Sequence, residues 1–440
     1  MGARGAKHGR ARLVPPETVV EIARVLTTAG FETWCVGGAV RDALLGEAHL
    51  DWDLATAAKP SDVRRLFRRT VPVGIEFGTV GVLDAANVMH EVTTFRRDVK
   101  TDGRHAEVEF GVSLEDDLAR RDFTINAIAY DPLGGGLRDP FHGQEDLAAR
   151  VVRAVGDPEA RMREDRLRAL RAIRFAARFG FEIEPATWRA VAASAPFTTR
   201  LSRERVKQEI EKTMQQVRYA GRAIGLWRES GVLAALIPAL AAISDVTVRS
   251  LDLLPPPGGS AKPDRDVQRL VALVADLASR EAERALRDLR FPNKTVSWVG
   301  SVLRGWGVIG DDVRRTLEAE GGPTDAALRR WAGVTGRTRA RAVWRLGAVR
   351  FAAERALGMP APRARAVASA YRRAMRIAFR DPVETGDLAV DGDDLLAAGI
   401  PAGPEMKAVL DQLLRYVLED PARNTRDALM ARAASAATQR

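Results

Sequence analysis

Gly37-Gly38-Ala39-Val40-Arg41-Asp42, followed by His49-Leu50-Asp51-Trp52-Asp53-Leu54, is the stretch on which the reading of this chain turns. The paired glycines end an apolar strand, Glu32 to Val36, and a helix from Ala39 to Leu45 is predicted, its first amides free to face an anion. If Asp51 and Asp53 share the short strand expected over Asp51 to Leu54, its two-residue period sends both carboxylates to one face, where they can hold a divalent metal. Carboxylates that close repel and favour protonation unless a cation lies between them. The pattern points to phosphoryl or nucleotidyl transfer. The competing reading is a surface turn that happens to contain two aspartates. Trp52 between them reads as core.

Working outward, an opening helix is expected over about Pro16 to Ala29, stopped by Gly30, and another over Ser61 to Arg69. Gly78 to Leu83 and Met89 to Phe95 read as a hairpin turned at Ala85-Ala86-Asn87. Strands and helices alternate only to about Tyr130. Beyond it, Glu164 to Phe179 reads as one strong helix stopped by Gly180. From Trp188 onward Ala, Leu and Arg recur at helical spacing, interrupted at Pro255-Pro256-Pro257-Gly258-Gly259 and Pro360-Ala361-Pro362. One small α/β domain in front of a mostly helical remainder is predicted. No regular repeat is present, which favours successive small bundles over a solenoid.

With 440 residues the chain exceeds what one hydrophobic core usually supports. Lys and Arg number 68 against 58 Asp and Glu, a formal charge of +10 that suits a polyanionic partner, although a soluble enzyme from an arginine-rich proteome would look the same. Cys35 is the only cysteine, which excludes an intrachain disulfide framework and a multi-cysteine zinc site and fits a reducing, cytoplasmic setting. The first residues, basic from Arg4 to Arg12, read as a loose leader over 1–12 rather than a signal peptide, and no apolar run is long enough for a membrane span.

Further groups could complete a site. Glu91, in Met89-His90-Glu91-Val92-Thr93-Thr94-Phe95, is a candidate third carboxylate, with Glu107 and Glu109 as rivals. Arg96 and Arg97 follow it and could neutralise phosphate. In Arg120-Arg121-Asp122-Phe123-Thr124-Ile125-Asn126 the arginines suit phosphate, and Asp122 and Asn126 suit ribose hydroxyls. Glu164-Asp165-Arg166-Leu167-Arg168 sets Asp165 and Arg168 three apart, able to offer an acceptor and a donor fork to a base edge or merely to form an intrahelical ion pair. Ser202-Arg203-Glu204-Arg205, with Glu209, reads as a helix whose Arg203 and Arg205 buttress that segment. The arginines between Arg329 and Arg376 could track folded RNA, but solvated helix faces account for most of them. No Gly-x-x-x-x-Gly-Lys-Ser/Thr loop occurs, so ordinary P-loop binding is disfavoured. The five histidines, His8, His49, His90, His105 and His142, lie in the first third, which leaves no histidine-aspartate hydrolase module among the helices.

Together these stretches resemble the class II tRNA nucleotidyltransferase and poly(A) polymerase family, among the DNA polymerase beta-like nucleotidyltransferases. The glycine turn with Asp51-Trp52-Asp53-Leu54-Ala55-Thr56 looks like the catalytic motif, and Glu91 to Arg96 like the strand after it. Asp117 to Ala127 looks like the ribose motif, Val155-Gly156-Asp157-Pro158 like the head-to-neck hinge, and Glu164 to Arg168 like the amino-acid template for the incoming base. Gly392 to Leu395, Gly399 to Pro404 and Glu419 to Asn424 resemble the tail of bacterial CCA-adding enzymes. Arg166 departs from the small residue common in the base-reading motif, and His142-Gly143 from the usual glycine pair after Asp139-Pro140-Phe141.

The resemblance implies an α+β fold: a mixed-sheet head over 13–150, then a helical neck over 151–230, body over 231–370 and tail over 371–440. It implies Mg2+, with Mn2+ as an alternative, at a two-metal site on Asp51 and Asp53, with Glu91 assisting. Gly37, Gly38, Arg41, Arg120, Asp122, Asn126, Asp165 and Arg168 would contact nucleotide, and Arg121, Glu164, Arg203, Arg205 and Glu209 would support them. The implied substrates are CTP and ATP, the partner is the acceptor arm of tRNA, and the implied state is monomer or homodimer. Gly78-Thr79-Val80 resembles the tRNA enzymes more than the polyadenylating ones. Addition of only C, addition of only A, polyadenylation and a catalytically idle RNA scaffold stay open at this point.

Overall fold

The computed structural model describes residues 13–47, 51–101, 106–255 and 264–438. The basic leader, His49, Leu50, His105, Pro256 to Gly259 and the side chain of Glu107 lie outside the described residues. In chain order the front of the molecule is α1 (Glu17–Thr28), β1 (Thr33–Val36), α2 (Gly38–Leu44), β2 (Asp53–Thr56), α3 (Pro60–Leu66), β3 (Thr70–Gly74), β4 (Thr79–Leu83), β5 (Met89–Thr94), β6 (Arg96–Thr101), β7 (Ala106–Phe110), α4 (Leu114–Ala119), β8 (Ala129–Tyr130), β9 (Leu137–Arg138) and α5 (Gly143–Ala149).

Seven strands form one mixed sheet in the order β3-β4-β5-β2-β1-β8-β9. Only β2 and β5 run parallel, with Leu54 opposite Val92; the other neighbours are antiparallel. The β4-β5 hairpin follows from its turn: Asp84 Oδ1 accepts the amides of Ala86 at 2.9 Å and Val88 at 2.8 Å, and Asn87 takes the left-handed φ of 64° that asparagine tolerates. Val36, Ala55, Phe95, Leu114, Leu118, Ala127, Ala129 and Val155 form a core cluster of this sheet and its cover. Trp52 is buried, as expected of a core residue.

Three local expectations need correction. The strand predicted over Asp51 to Leu54 begins only at Asp53, and Asp51 is an exposed residue two positions before it. Strands β3, β6 and β7 are additions to the expected elements, because Thr70–Gly74 contains Pro72 and ends in glycine, and the β6-β7 ladder is strongly charged. The helix predicted over Glu164 to Phe179 is two helices, α6 (Pro158–Glu164) and α7 (Leu167–Phe179); Asp165 between them is extended at φ −145°. Asp165 breaks the run because its Oδ1 accepts the Leu167 amide at 3.0 Å, an aspartate caught capping the following turn.

The His142-Gly143 pair has a backbone reason. His142 sits in the left-handed region at φ 58°, where glycine is easier, and a Cβ on Gly143 would stand 2.2 Å from the Thr124 carbonyl oxygen. The second position therefore needs glycine, whereas the first only favours it.

The rest is helical apart from one parallel two-residue pair, β10 (Val151–Val152) with β11 (Glu182–Ile183). After α8 (Pro185–Ser194) come α9 (Arg203–Gln216), α10 (Ala220–Glu229), α11 (Val232–Leu236), α12 (Asp245–Leu253), α13 (Asp264–Leu273), α14 (Ser279–Asp288), α15 (Asn293–Glu318), α16 (Asp325–Thr335), α17 (Arg337–Ala356), α18 (Ala364–Arg380), α19 (Gly392–Ala397), α20 (Pro404–Glu419) and α21 (Arg426–Thr438). The chain divides into two compact units. One is Met1–Glu209 with Leu226–Leu236, and the other is Ile210–Gly225 with Ile237–Arg440. In the second, the wholly buried Arg269 donates to the carbonyls of Met214, Val217, Arg218 and Leu254, satisfying helix-end oxygens that would otherwise be orphaned. At its far end Val390, Leu395, Ile400, Val409, Leu413, Val417, Leu429 and Ala433 pack together, so the segments reminiscent of a tail share one core. No helix among the described residues is long and apolar enough to cross a membrane.

Candidate active site

The first unit gathers the chemistry-bearing residues on the edge where β1 and β2 meet the glycine turn. Gly37 has φ 78°, and a Cβ there would lie 3.2 Å from Arg121 Nη1 and 3.8 Å from Asp53 Oδ2. Glycine thus leaves room beside the Asp53 carboxylate and the Arg121 guanidinium. The Leu54–Val92 pairing places Asp53 and Glu91 side by side, one residue earlier on parallel strands. Leu54 and Val92 point into the core, so strand alternation turns Asp53 and Glu91 to the opposite face.

These acids act on one another's charge. Burial pushes the Asp53 acid up to about 7, and the negative charges of Asp51 and Glu91 push the same way, against Arg121. Glu109 stands apart: it pairs with Arg97 at 2.8 Å on the β6-β7 ladder. Among the described residues no three Asp, Glu, His or Cys side chains are gathered tightly enough to cage an ion unaided. Such a donor set suits Mg2+, which commonly takes one or two carboxylates and completes its shell with water and substrate phosphates.

Behind this corner the acids are answered by arginines. Fully buried Asp117 accepts from Arg120 at 2.7 Å and Arg121 at 3.1 Å; burial alone would raise its pKa, but the two charges outweigh it and hold it low. Asp122 accepts from the Asn126 side chain at 2.8 Å, from the Phe123 amide at 2.9 Å and from Arg171 at 2.7 Å. Burial opposes ionisation there too, yet Arg171, Asn126 and Arg168 bring Asp122 down to about 2. Asn126 accepts in turn from Arg41, which also bonds Asp42 at 2.7 Å and lies over the rings of Phe175 and Phe179. Asp42, only 1% exposed, takes Arg178 at 3.0 Å.

These bonds close a loop. Arg171 and Arg178 lie seven residues apart, two turns along one face of α7, and the path between them runs through Asp122, Asn126, Arg41 and Asp42. Arg41, Asp122 and Asn126, expected at the nucleotide, are therefore engaged with protein partners. Sequence reasoning missed Asp42, Arg171 and Arg178 as members of this group. Arginines at 171, 174 and 178 on one helical face were its only signal.

The Asp165–Arg168 pair lies just beyond. Asp165 Oδ2 accepts from Arg205 at 2.7 Å, and Arg168 donates to Glu164 at 2.7 Å and to the Arg120 carbonyl at 3.0 Å. Arg174 donates to Glu209 at 2.7 Å, and Arg203 reaches the Leu236 carbonyl at 3.4 Å. Glu164, Arg205 and Glu209 thus brace α7 and its entrance, with Arg203 tied elsewhere in the same unit. Asp165 and Arg168 do not share one helix, because Asp165 lies in the extended break and α7 begins at Leu167.

Comparison with known proteins converges on one family. A model of the poly(A) polymerase head domain matches residues 33–153, one of an RNA-binding site of polymerase A matches 180–244, and one of a second tRNA nucleotidyltransferase domain matches 363–433. The CCA-adding enzyme of Geobacillus kaustophilus is 36% identical over 95% of this chain and 96% of its own length. The chain belongs to the CCA-adding enzyme family. It is a nucleotidyltransferase accordingly. The CCA-adding enzyme of Bacillus stearothermophilus, solved with CTP, superposes with a TM-score of 0.74 at 33% identity, covering 96% of this chain and 98% of that one. The Thermotoga maritima CCA-adding enzyme, solved with tRNA, has a TM-score of 0.67 at 20% identity over 96% of each chain and shares the fold. Nucleotidyltransferases of the family generally use divalent metals.

Proposed function

We propose that this chain adds C, C and A to the 3′ end of tRNA without a nucleic-acid template, using CTP and ATP and releasing pyrophosphate, in the cytoplasm. The observation that carries this reading is the bond from Arg168 to the Arg120 carbonyl. It ties a base-reading pair to the segment that holds Arg121 against Asp53 and Gly37.

Asp51 and Asp53 would hold Mg2+, with Glu91 adding negative field. A divalent ion there polarises the nucleotide phosphates and eases loss of the 3′-hydroxyl proton. The glycine turn admits the triphosphate close to the backbone, and Arg121, already beside Asp53, meets charge that develops as pyrophosphate leaves. Asp165 can accept from the exocyclic amine of cytosine or adenine while Arg168 donates to the adjacent ring acceptor; guanine and uracil invert that pattern. Arg205 and Glu164 hold the two readers in place. Asp122, whose Oδ2 lies 2.7 Å from both Nε and Nη2 of Arg171, would act by anchoring that arginine. Head, neck, body and tail at 13–150, 151–230, 231–370 and 371–440 are the division of labour that fits this reading, with tRNA along the helical parts.

Incubating the chain with tRNA lacking its 3′ CCA, magnesium and all four nucleotides, and sequencing the products, tests it. The expected product is C-C-A. Stopping after C residues, adding only A, or extending long A tracts would each replace the reading with a narrower or polyadenylating one, and no incorporation would leave an idle scaffold.

A further inference from the structure

Along the base-reading segment the arginines are paired: Arg161, Arg168, Arg171, Arg174, Arg178 and Arg205 each have a carboxylate within 3.0 Å. Three others are not. Arg163, Arg166 and Arg200 have no carboxylate partner among the described residues, although they converge on one place. Arg166 donates to the buried Ser194 hydroxyl at 3.0 Å and lies with its guanidinium carbon 4.7 Å from the centre of the Phe197 ring; that of Arg200 lies 5.3 Å from the same ring. Phe197 itself is 40% exposed. Burial together with the charges of Arg163 and Arg200 pulls the Arg166 guanidinium below its ordinary pKa, the mark of like charges gathered without an answering anion.

Nothing in the fold requires this concentration. A neutral hydroxyl and an aromatic face orient guanidiniums but do not neutralise them. Arg166 also adjoins Asp165 in the chain, so whatever binds it lies close to the base reader. We propose that Arg166 and Arg200, arrayed about Phe197, together with Arg163 near Arg166, clamp backbone phosphates of the RNA strand whose 3′ end is being extended. This rests on the nucleotidyl-transfer reading above. A continuous strand brings successive phosphates to neighbouring guanidiniums, and the departure of Arg166 from a small residue becomes a device for holding primer rather than a defect in base reading. The triphosphate of the incoming nucleotide is the other source of the same chemistry, and the experiment separates the two.

Arg166→Ala/Arg200→Ala, Arg166→Lys and Phe197→Ala variants are compared with the parent chain in tRNA binding by fluorescence anisotropy across a salt series, and in steady-state incorporation. The double variant should bind CCA-lacking tRNA about tenfold more weakly, with its salt slope reduced by about 2, near one per lost phosphate contact. The KM for tRNA should rise by the same factor while KM for CTP and ATP stays within about twofold. Arg166→Lys should keep most of the affinity, and Phe197→Ala should fall between. An unchanged tRNA affinity and salt slope overturns the clamp, and a raised nucleotide KM with unchanged tRNA binding assigns the patch to the triphosphate. Because binding is read without turnover, a parent chain that binds but never incorporates would sink the enzymatic reading and leave the clamp itself still decided by the anisotropy.

Discussion

Two sets of acids a few residues apart behave in opposite ways. Asp51, Asp53 and Glu91 act on one another about the start of β2, and the Asp53 pKa is pushed up to about 7. Asp42, Asp117 and Asp122 are more deeply buried, yet each has arginine on it, and Asp122 falls to about 2. Burial disfavours ionisation in both places, so it does not separate them. What separates them is whether the cation belongs to the protein. In the first set the mutual repulsion and burial at Asp53 outweigh the opposing charge of Arg121, whereas the second has been supplied with guanidiniums that bolt α7 to α2 and to the Asp122–Asn126 segment.

The largest effect should come from breaking the first set. Asp53→Ala should lower nucleotide incorporation by at least about a thousandfold, comparable to removing a principal electrostatic group from an active site, while tRNA binding measured by anisotropy changes little. Retained turnover would show that the acids are not the metal corner.

Breaking the second set should cost stability instead. Asp122→Ala leaves Arg171, Asn126 and Arg41 facing a buried gap, and urea unfolding of the first unit should show a loss of about 3 kcal/mol. A loss near zero would mean that the arginine loop is ornamental.

A sharper contrast is in sign. Asp53 has a raised acid pKa in the folded chain, so its ionised form disfavours folding above pH 7, and the penalty disappears as pH falls toward the unfolded value of 3.8. Asp53→Asn should therefore stabilise the metal-free chain at pH 8 by an amount of order 1 kcal/mol, seen as a raised melting temperature, and leave it unchanged near pH 4. Asp122, with a depressed pKa, stabilises above 3.8, and its contribution should fade as pH drops toward 2. An equal response of the two variants to pH would erase the distinction.

The smallest expected effect is at the rim of the loop. Arg178 is partly exposed, so Arg178→Ala should cost about 1 kcal/mol by thermal denaturation, while CTP and ATP discrimination loosens because α7 carries Arg168. Unchanged nucleotide preference would mean that the Asp42 contact does not set the position of the reader.

Much of this was legible beforehand for definite reasons. The β4-β5 hairpin was readable because its turn is local: Asp84 and Asn87 settle it within four residues. The glycine turn was legible because the close approach of Arg121 and Asp53 leaves little room for a side chain at Gly37, whereas the strand expected to carry both Asp51 and Asp53 begins only at Asp53. The break at Asp165 was hidden, since helical periodicity runs through it and an aspartate can sit inside a helix as easily as cap one. The partners of Asp42 and Asp122 were hidden more deeply, lying 136 and 49 residues away.

By itself, then, the sequence determined the family, the mixed sheet in front of helices, and the acids and arginines from which a nucleotidyl-transfer site is made, because residue type and short-range spacing carry that information. Only the tertiary structure decided which acid meets which cation. An aspartate's charge state depends on the burial and fields of groups brought beside it by folding, and that set Asp53 among other acids and Asp122 against Arg171.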